Sequence, residues 1–583
     1  MTSANTDWKA LATRWIDEDP DTTTRDELRA LVDANDLDAL ADRLGAKLEF
    51  GTAGLRGVIG AGSNRMNRAV VIRTTAGLAE YLKSQCSDAA ERGVIVGYDG
   101  RRMSREFAED TVAVLAAAGL VAHLFDDYAP TPLTAFAVND LNAVAGVMVT
   151  ASHNPPEYNG YKVYWGNGAQ IIPPHDGGIA AAIDAVGGAR SVPRMSLDDA
   201  RAKGLCRTVS PDVTARYLER LRALSPCTDA PAGVTMVYTA LHGVGAKLAL
   251  EVLPRWGRVH SVAEQEAPDG AFPTVAFPNP EERGAMDLSL ALARRESADI
   301  VIANDPDADR LAVAVRRGDD YVQLSGNDVG VLLGHHLLTE GSQEGERFVA
   351  MSIVSSPLLA VIARALGLRC EETLTGFKWI ANRSIKISRE TGARFVFGYE
   401  EALGYSVSTL VRDKDGISAA YVVAGLAAKL KAEGKSILDR IEAIHRQYGY
   451  FVSGQRSVTA KGADGMKAIA TTMAGFRARP LTSFGGKAVI STRDVERRTR
   501  TDAKGDVTAL DLPASNVIAY DLEGGGRVML RPSGTEPKIK FYLDLCEPLS
   551  ASETYADGVA RARARLDEAV TEIARASQER GGL

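Results

Sequence analysis

Short apolar runs alternate with stretches of helical periodicity along most of this chain. Gly93 to Tyr98, Val144 to Val149, Val234 to Thr239, Asp299 to Ala303, Phe348 to Val354 and Phe395 to Phe397 read as buried strands. Helical patterns separate them, and that alternation predicts an α/β fold of parallel or mixed sheets covered by helices. Before the first run, Leu28, Leu31, Val32, Leu37, Leu40 and Leu44 fall at helical spacing between Thr24 and Leu48. They predict two short amphipathic helices packed on the domain that follows. The last portion differs. Lys487 to Ser491, Val517 to Leu522 and Arg527 to Arg531 read as short strands, the last two joined by Glu523-Gly524-Gly525-Gly526. An antiparallel α+β module is expected there, closed by a helix from Ser552 to Ala576.

A chain of 583 residues exceeds what one core serves, so three or four domains of about 100 to 200 residues are expected. Apolar content of 45% and charged content of 25% are those of a globular protein, and a net charge of −7 gives no electrostatic case for nucleic acid or an anionic membrane. Any anion must therefore be held by local basic clusters. The stretch Met1 to Asp7 lacks a basic region followed by an apolar one, and no run is long enough to span a bilayer, so a cytoplasmic protein is expected. Cys86, Cys206, Cys227, Cys370 and Cys546 are widely scattered without a CxxC pair, which suits thiols in a reducing compartment.

Three polar segments stand out against this background. Thr150-Ala151-Ser152-His153-Asn154-Pro155 follows the second apolar run and offers a hydroxyl on a stiff loop, either as a nucleophile or as the carrier of a phosphate. Asp305-Pro306-Asp307-Ala308-Asp309-Arg310 follows the fourth run with alternate carboxylates suited to a hard cation. Its spacing is not that of an EF-hand, because positions six and twelve from Asp305 hold Arg310 and Arg316 instead of glycine and a carboxylate. Near the C-terminus, Arg531-Pro532-Ser533-Gly534-Thr535-Glu536-Pro537-Lys538 groups a guanidinium, two hydroxyls and backbone donors as a phosphate cradle. Ser152, Asp305 and Glu400 each come just after a predicted strand, where α/β sheets gather ligands.

From Gly51 to about Leu545 these segments resemble the α-D-phosphohexomutases, the superfamily of phosphoglucomutase and phosphomannomutase. The serine loop TASHNP, the metal loop DPDADR, the sugar loop Gly398-Tyr399-Glu400-Glu401-Ala402-Leu403-Gly404-Tyr405 and the phosphate loop RPSGTEPKIK occur in the family's order. The resemblance implies three similar α/β domains with mixed sheets and a smaller C-terminal α+β domain, with the active cleft at their junction. Boundaries near Pro211, Gly326 and Tyr448 divide the chain into 1–210, 211–325, 326–447 and 448–583.

The same resemblance assigns residues. Ser152 carries the phosphoryl group and joins Asp305, Asp307 and Asp309 around Mg2+. His153, by its adjacency to Ser152 and not by the resemblance, is expected to orient the phosphate or relay protons. Arg56, in Gly51-Thr52-Ala53-Gly54-Leu55-Arg56-Gly57, is an active-site cation; Lys162 is the basic residue after the serine loop; and Lys414, in Lys414-Asp415-Gly416, is a candidate general acid or base. Substrate contacts are expected from Arg310, from Thr375, Gly376 and Lys378, from Glu400 and Ala402, and from Arg531, Ser533, Gly534, Thr535 and Lys540. Two positions depart from the family. Ala402 replaces the usual serine of E-x-S, and Lys540 replaces a frequent arginine, keeping charge without a bidentate fork.

The resemblance thus implies a Mg2+-dependent phosphosugar mutase interconverting glucose 1-phosphate and glucose 6-phosphate, with glucose 1,6-bisphosphate as intermediate and activator, acting as monomer or homodimer. The sugar loop is closest to the phosphopentomutase-like and glucose-1,6-bisphosphate-synthesising subgroup, so phosphomannomutase, phosphopentomutase and bisphosphate synthase stand beside it. A metal phosphatase and a non-catalytic sugar-phosphate binder are other classes. The pairing of a serine donor with a second phosphate cradle argues against the first, and the intact serine and carboxylates argue against the second.

Overall fold

A computed structural model describes residues 6–49, 54–460, 465–533 and 538–583. The chain forms two compact units: one holds residues up to Ser325 together with Gly376–Glu390 and Leu403–Gly434, the other Gly326–Thr375, Thr391–Ala402 and Lys435–Leu583. All six predicted strands are present. Among the described residues no helix is long and apolar enough to cross a membrane, and no disulfide joins the cysteines.

In the first unit, a six-stranded mixed sheet runs in the order Leu55–Val58, Tyr158–Trp165, Ala145–Val149, Val94–Tyr98, Ala122–Leu124 and Cys206–Thr208. Val94–Tyr98 lies parallel to both neighbours, and its residues are buried throughout because helices cover both faces. Tyr158–Trp165 returns antiparallel to Ala145–Val149 and sets Lys162 opposite Met148. Three helices precede this sheet. Thr22–Asp33 and Leu37–Leu44 are the two expected ones, and Trp8–Glu18 adds a third. Each is capped by an aspartate, Asp7, Asp21 and Asp36, whose carboxylate accepts an otherwise unpaired N–H of the first turn. Ala12, Ile16, Leu28 and Leu40 close a small core between them.

A second sheet in this unit is ordered Asp320–Gln323, Ala312–Arg317, Ile300–Ala303, Val234–Thr239 and Gly257–Ser261. Its three last strands are parallel, and Ile300–Ala303 delivers the aspartate loop. Helix Gly416–Ala432, apolar on nearly every face, packs on this sheet and starts from an Asp415 cap that accepts N–H groups from Ile417 and Ser418 and a hydroxyl from Tyr217. The cap fixes where Lys414 stands.

The second unit contains three parallel strands, Arg369–Thr373, Arg347–Ser352 and Arg394–Glu400 in that order, backed by helices Gly326–Glu340 and Leu358–Ala365. It also contains an antiparallel sheet ordered Tyr450–Thr459, Lys538–Glu547, Arg527–Pro532, Ile518–Leu522, Lys487–Asp494, Thr499–Asp502 and Val507–Ala509. Helices Gly465–Ala478 and Tyr555–Gly581 cover it. The closing helix begins at a Thr554 cap and runs beyond the predicted Ala576.

A buried ion network links the parallel strands to this sheet. Arg527, 2% exposed, donates to Asp544 Oδ2 at 2.8 Å and to the Ser355 carbonyl at 2.6 Å, with Glu372 Oε1 at 3.4 Å. Arg493 pairs with Glu372 and with Asp521. Burial would raise the Glu372 carboxyl, but these two guanidiniums hold it below its ordinary range. Breaking such a pair from one side strands a charge. Arg527→Met should therefore destabilise the protein by about 3–5 kcal/mol, seen in calorimetry as a lower-melting transition, whereas Arg527→Met combined with Asp544→Leu should recover part of the loss.

Candidate active site

The serine loop leaves strand Ala145–Val149 at Thr150. Ser152 is 2% exposed and adopts φ 52°, the left-handed region that costs a non-glycine residue about 1–2 kcal/mol. Its Oγ donates to Asp305 Oδ2 at 2.8 Å and lies 3.3 Å from His153 Nδ1. Its N–H donates to Thr150 Oγ1 at 2.8 Å. Burial, reinforced by Arg310 and Arg56, pushes His153 well below its usual pKa, so the imidazole beside the hydroxyl is neutral.

Asp305, Asp307 and Asp309 are buried, and one oxygen from each lies within 4.8 Å of the other two. Ala308, at φ 58°, turns the loop so that alternate carboxylates converge. The oxygens divide by role. Asp307 Oδ2 accepts from Thr131 Oγ1 at 2.6 Å and Lys162 Nζ at 2.7 Å; Asp309 Oδ2 accepts from Lys162 Nζ at 2.8 Å and has Lys414 Nζ at 3.1 Å. Asp305 Oδ1 accepts the Arg310 N–H at 2.9 Å. Among the described residues, Asp307 Oδ1 and Asp309 Oδ1 are buried without a hydrogen-bond partner. Two orphaned carboxylate oxygens beside a serine hydroxyl form an oxygen donor set that fits a small divalent cation such as Mg2+. Burial and the charges of its two neighbours push Asp305 well above its ordinary range; burial acts on Asp307 the same way, but Lys162 overrides it and holds that carboxyl low.

Lys162 therefore stands on the metal-loop carboxylates, 1% exposed. Lys414 bridges Asp309 and Asp413, whose other oxygen accepts Tyr164 OH and Gln170 Nε2, both at 2.7 Å. Arg56 reaches the serine loop through Asn154 Oδ1 at 2.7 Å; burial lowers its guanidinium to about 10, against the pull of Asp307, so it stays charged at neutral pH. Arg310 Nε lies 3.9 Å from both Asp305 and Asp309. Lys378 occupies the first turns of helix Phe377–Thr391, its ammonium 5.7 Å from the Trp379 ring centre; burial lowers its pKa, opposed by Asp176. The structure thus brings Ser152, His153, the three aspartates, Arg56, Arg310, Lys162 and Lys414 into one cluster.

Gly376, just before Lys378, also belongs to the first unit; Thr375, Glu400, Ala402, Arg531, Ser533 and Lys540 belong to the second. Glu400 ends its strand, 9% exposed, and Ala402 follows at the edge. Between them Glu401 Oε2 accepts from Ser352 Oγ at 3.1 Å and Ser355 Oγ at 3.2 Å. Thr375 Oγ1 is buried without a partner among the described residues. Arg531 and Lys540 face each other across the hairpin, and Ser533 N–H donates to the Lys538 carbonyl at 2.7 Å. Burial and then the charge of Glu401 raise the Tyr542 hydroxyl, and Arg531 opposes them. Gly534 and Thr535, like Gly51, Thr52 and Ala53, lie outside the described residues.

Sequence reasoning missed Asp99, Arg101, Thr131, Ser352 and Ser355, which touch the serine loop, Asp307 and Glu401 from distant segments, and Asp413, which pairs with the adjacent Lys414. For Asp99 and Arg101 a signal existed, since Asp99-Gly100-Arg101 directly follows a predicted strand.

Comparison with known proteins gives a single answer. Profiles described as phosphoglucomutase/phosphomannomutase alpha/beta/alpha domains I, II and III match residues 47–188, 215–318 and 325–448. A probable phosphomannomutase of Haemophilus influenzae is 43% identical over 494 residues, covering 82% of this chain and 93% of its own. Human phosphopentomutase is 37% identical over 566 residues, covering 93% and 92% respectively. A solved structure, that of a putative phosphomannomutase from Thermus thermophilus, shares the fold with TM-score 0.63 at 23% identity over 86% of this chain and 96% of that one.

Asp307→Asn removes a charge from the cluster and one orphaned oxygen from the donor set. Mg2+ affinity measured by titration calorimetry should fall about tenfold or more, and the magnesium needed for half-maximal turnover should rise in parallel.

Proposed function

Because this chain belongs to the phosphoglucomutase/phosphomannomutase family, we propose that it interconverts glucose 1-phosphate and glucose 6-phosphate through a phosphorylated Ser152 and glucose 1,6-bisphosphate. The observation that carries this reading is Ser152 Oγ at 2.8 Å from Asp305, on the edge of the three-carboxylate cluster. Uncatalysed transfer from a phosphate monoester is extremely slow, so positioning and charge neutralisation must supply the rate. Mg2+ held by Asp305, Asp307 and Asp309 would supply the charge that the transferring phosphoryl oxygens require.

The residues divide the remaining work. A sugar hydroxyl attacks the Ser152 phosphate in line, so that the new O–P bond forms as the Oγ–P bond breaks. Arg56 remains charged beside the loop and can steady the equatorial oxygens. When Ser152 Oγ takes the phosphoryl group back from the bisphosphate, neutral His153 is the group proposed to accept the Oγ proton and Lys414, paired with Asp309 and Asp413, the one proposed to give a proton to the departing sugar oxygen; transfer from the serine runs the same proton movements in reverse. Lys162 holds Asp307 and Asp309 ionised and in place. In the second unit, Arg531, Ser533, Gly534, Thr535 and Lys540 suit the phosphate that is not reacting, and Glu400 suits adjacent sugar hydroxyls. A mutase must use either end of its bisphosphate, and a second phosphate site in addition to a covalent donor meets that need.

A second substrate reading has its own support. Ala402 removes one hydroxyl contact to the sugar, and a human relative that spans nearly the whole chain is a phosphopentomutase, as another is a glucose 1,6-bisphosphate synthase. Ribose 1-phosphate is then a substrate beside, or ahead of, the glucose ester.

Ser152→Ala should abolish turnover on every sugar while far-UV circular dichroism and melting stay near those of the wild type. Intact mass should show one phosphate on wild type after treatment with glucose 1,6-bisphosphate and none on the variant; phosphate mapped elsewhere would overturn the assignment.

Selectivity offers a second check. A missing hydrogen bond is worth about 0.5–1.5 kcal/mol, roughly a two- to tenfold change in specificity. Ala402→Ser should narrow the kcat/KM ratios among glucose, mannose and ribose 1-phosphates toward one sugar by that factor. Glu400→Ala should depress all three. Release of free phosphate in place of an isomer would instead indicate a phosphatase.

A further inference from the structure

We infer that Arg101 is a positioning residue that shapes the serine loop for phosphoryl transfer from behind, touching none of the reacting atoms. Strand Val94–Tyr98 pairs with Ala145–Val149 so that Tyr98 lies beside Val149, and the two chains leave the sheet at the same end. One continues into Asp99-Gly100-Arg101, the other into Thr150-Ala151-Ser152.

Arg101 is 4% exposed, and its terminal nitrogens serve one loop. Nη1 donates to the carbonyls of Pro155 at 2.9 Å and Tyr158 at 3.2 Å; Nη2 donates to those of Ser152 and Asn154, both at 2.5 Å. A guanidinium carries four coplanar terminal N–H groups, and all four are engaged. Carbonyls converging on one point repel unless a cation sits between them. Lysine could not replace this fork, since an ammonium has three donors in a tetrahedral array.

Asp99 completes the clamp. Its Oδ1 accepts the Arg101 N–H at 3.0 Å and Ser104 Oγ at 2.6 Å, and Oδ2, 3.4 Å from Arg101 Nε, accepts Thr150 Oγ1 at 2.6 Å. Thr150 Oγ1 in turn accepts the Ser152 N–H. Ser152 is therefore gripped at its carbonyl by Arg101 and at its N–H through Asp99 and Thr150. Both flanking peptides are fixed, and so is the left-handed conformation that points Oγ at Asp305.

A segment from the domain that bears the aspartate loop presses on the clamp. The Arg101 guanidinium lies 4.9 Å from the centre of the Phe272 ring, a cation–π distance. Gly270 approaches so closely that a Cβ there would stand 2.8 Å from Arg102 N and 2.9 Å from Arg101 Cα. Arg101 thus sets the register between serine and metal ligands from both sides.

The kinetic readout rests on the mutase reading; hydrogen exchange does not. In Arg101→Lys, kcat should fall about 100-fold with KM changed by less than about threefold, as for a donor displaced by roughly an ångström. Amide exchange across residues 150–158 should quicken by about tenfold or more while other segments keep their protection, and Mg2+ affinity should be unchanged. Should Arg101→Lys fail to fold, Asp99→Asn keeps the shape and removes the counter-charge, and a smaller loss of kcat with the same local exchange signature is expected. Folded variants with wild-type exchange at 150–158 and kcat within about twofold would overturn the proposal. So would protection lost evenly along the chain, which marks general destabilisation. Wild-type protein without mutase turnover would refute the mutase reading, and the exchange comparison would still decide the clamp.

Discussion

Three carboxylates buried in one short loop are the constraint around which the first unit is built. At that spacing and dryness their repulsion favours protonation, as it does at Asp305, and the protein surrounds the loop with positive charge that holds Asp307 and Asp309 low. Lys162 comes from a strand of the first sheet, Lys414 from the residue before the Asp415 cap, and Arg310 from the loop itself. Asp307 Oδ2 and Asp309 Oδ2 are satisfied by the lysines and by Thr131, and among the described residues Asp307 Oδ1 and Asp309 Oδ1 are left without a hydrogen-bond partner. A metal is thus offered a site whose geometry is set by groups that do not themselves bind it. The lysines also join segments far apart in the chain, so the demand for charge balance and the packing of the unit are the same demand.

The serine loop answers to a related rule. A hydroxyl that must repeatedly hold and release a phosphoryl group needs a fixed direction, and a loop has no ladder of hydrogen bonds to supply one. Here side chains beneath the loop satisfy its backbone, and the strain at Ser152 is held by contacts on both sides of that residue.

Much of this is legible in the residue order. The six parallel-type strands announce themselves as apolar runs, since burial on both faces leaves no polar alternation, and the serine and aspartate loops follow two of them directly. The strands Tyr158–Trp165 and Tyr450–Thr459 do not stand out, because the first carries Asn159 and Lys162 within it and the second buries only the adjacent Phe451 and Val452 before alternating half-buried and exposed residues. The helix Trp8–Glu18 lies ahead of the segment whose leucines signal helices, although its own apolar residues have helical spacing. Within the site, residue types are readable and pairings are not. A motif shows that Lys162 follows the serine loop; only the antiparallel return of its strand puts the ammonium on Asp307 and Asp309. Arg101 and Asp413 act through contacts with segments dozens of positions away, and no local pattern encodes those.

The interleaved course of the chain has a consequence for its biosynthesis. The first unit is not contiguous: after Ser325 the chain enters the second unit, returns for Gly376–Glu390, leaves again and comes back for Leu403–Gly434. Helix Gly416–Ala432, apolar almost all round, and Lys414 just before it therefore emerge from the ribosome long after the sheet and the aspartates they neutralise. Until then the nascent first unit carries an uncovered apolar sheet face and an under-compensated acidic loop. Long-range closure of this kind slows folding and leaves adhesive surface exposed in the interval. A chaperone that shields the nascent unit until Gly434 has emerged would serve this protein more than one whose domains finish one after another.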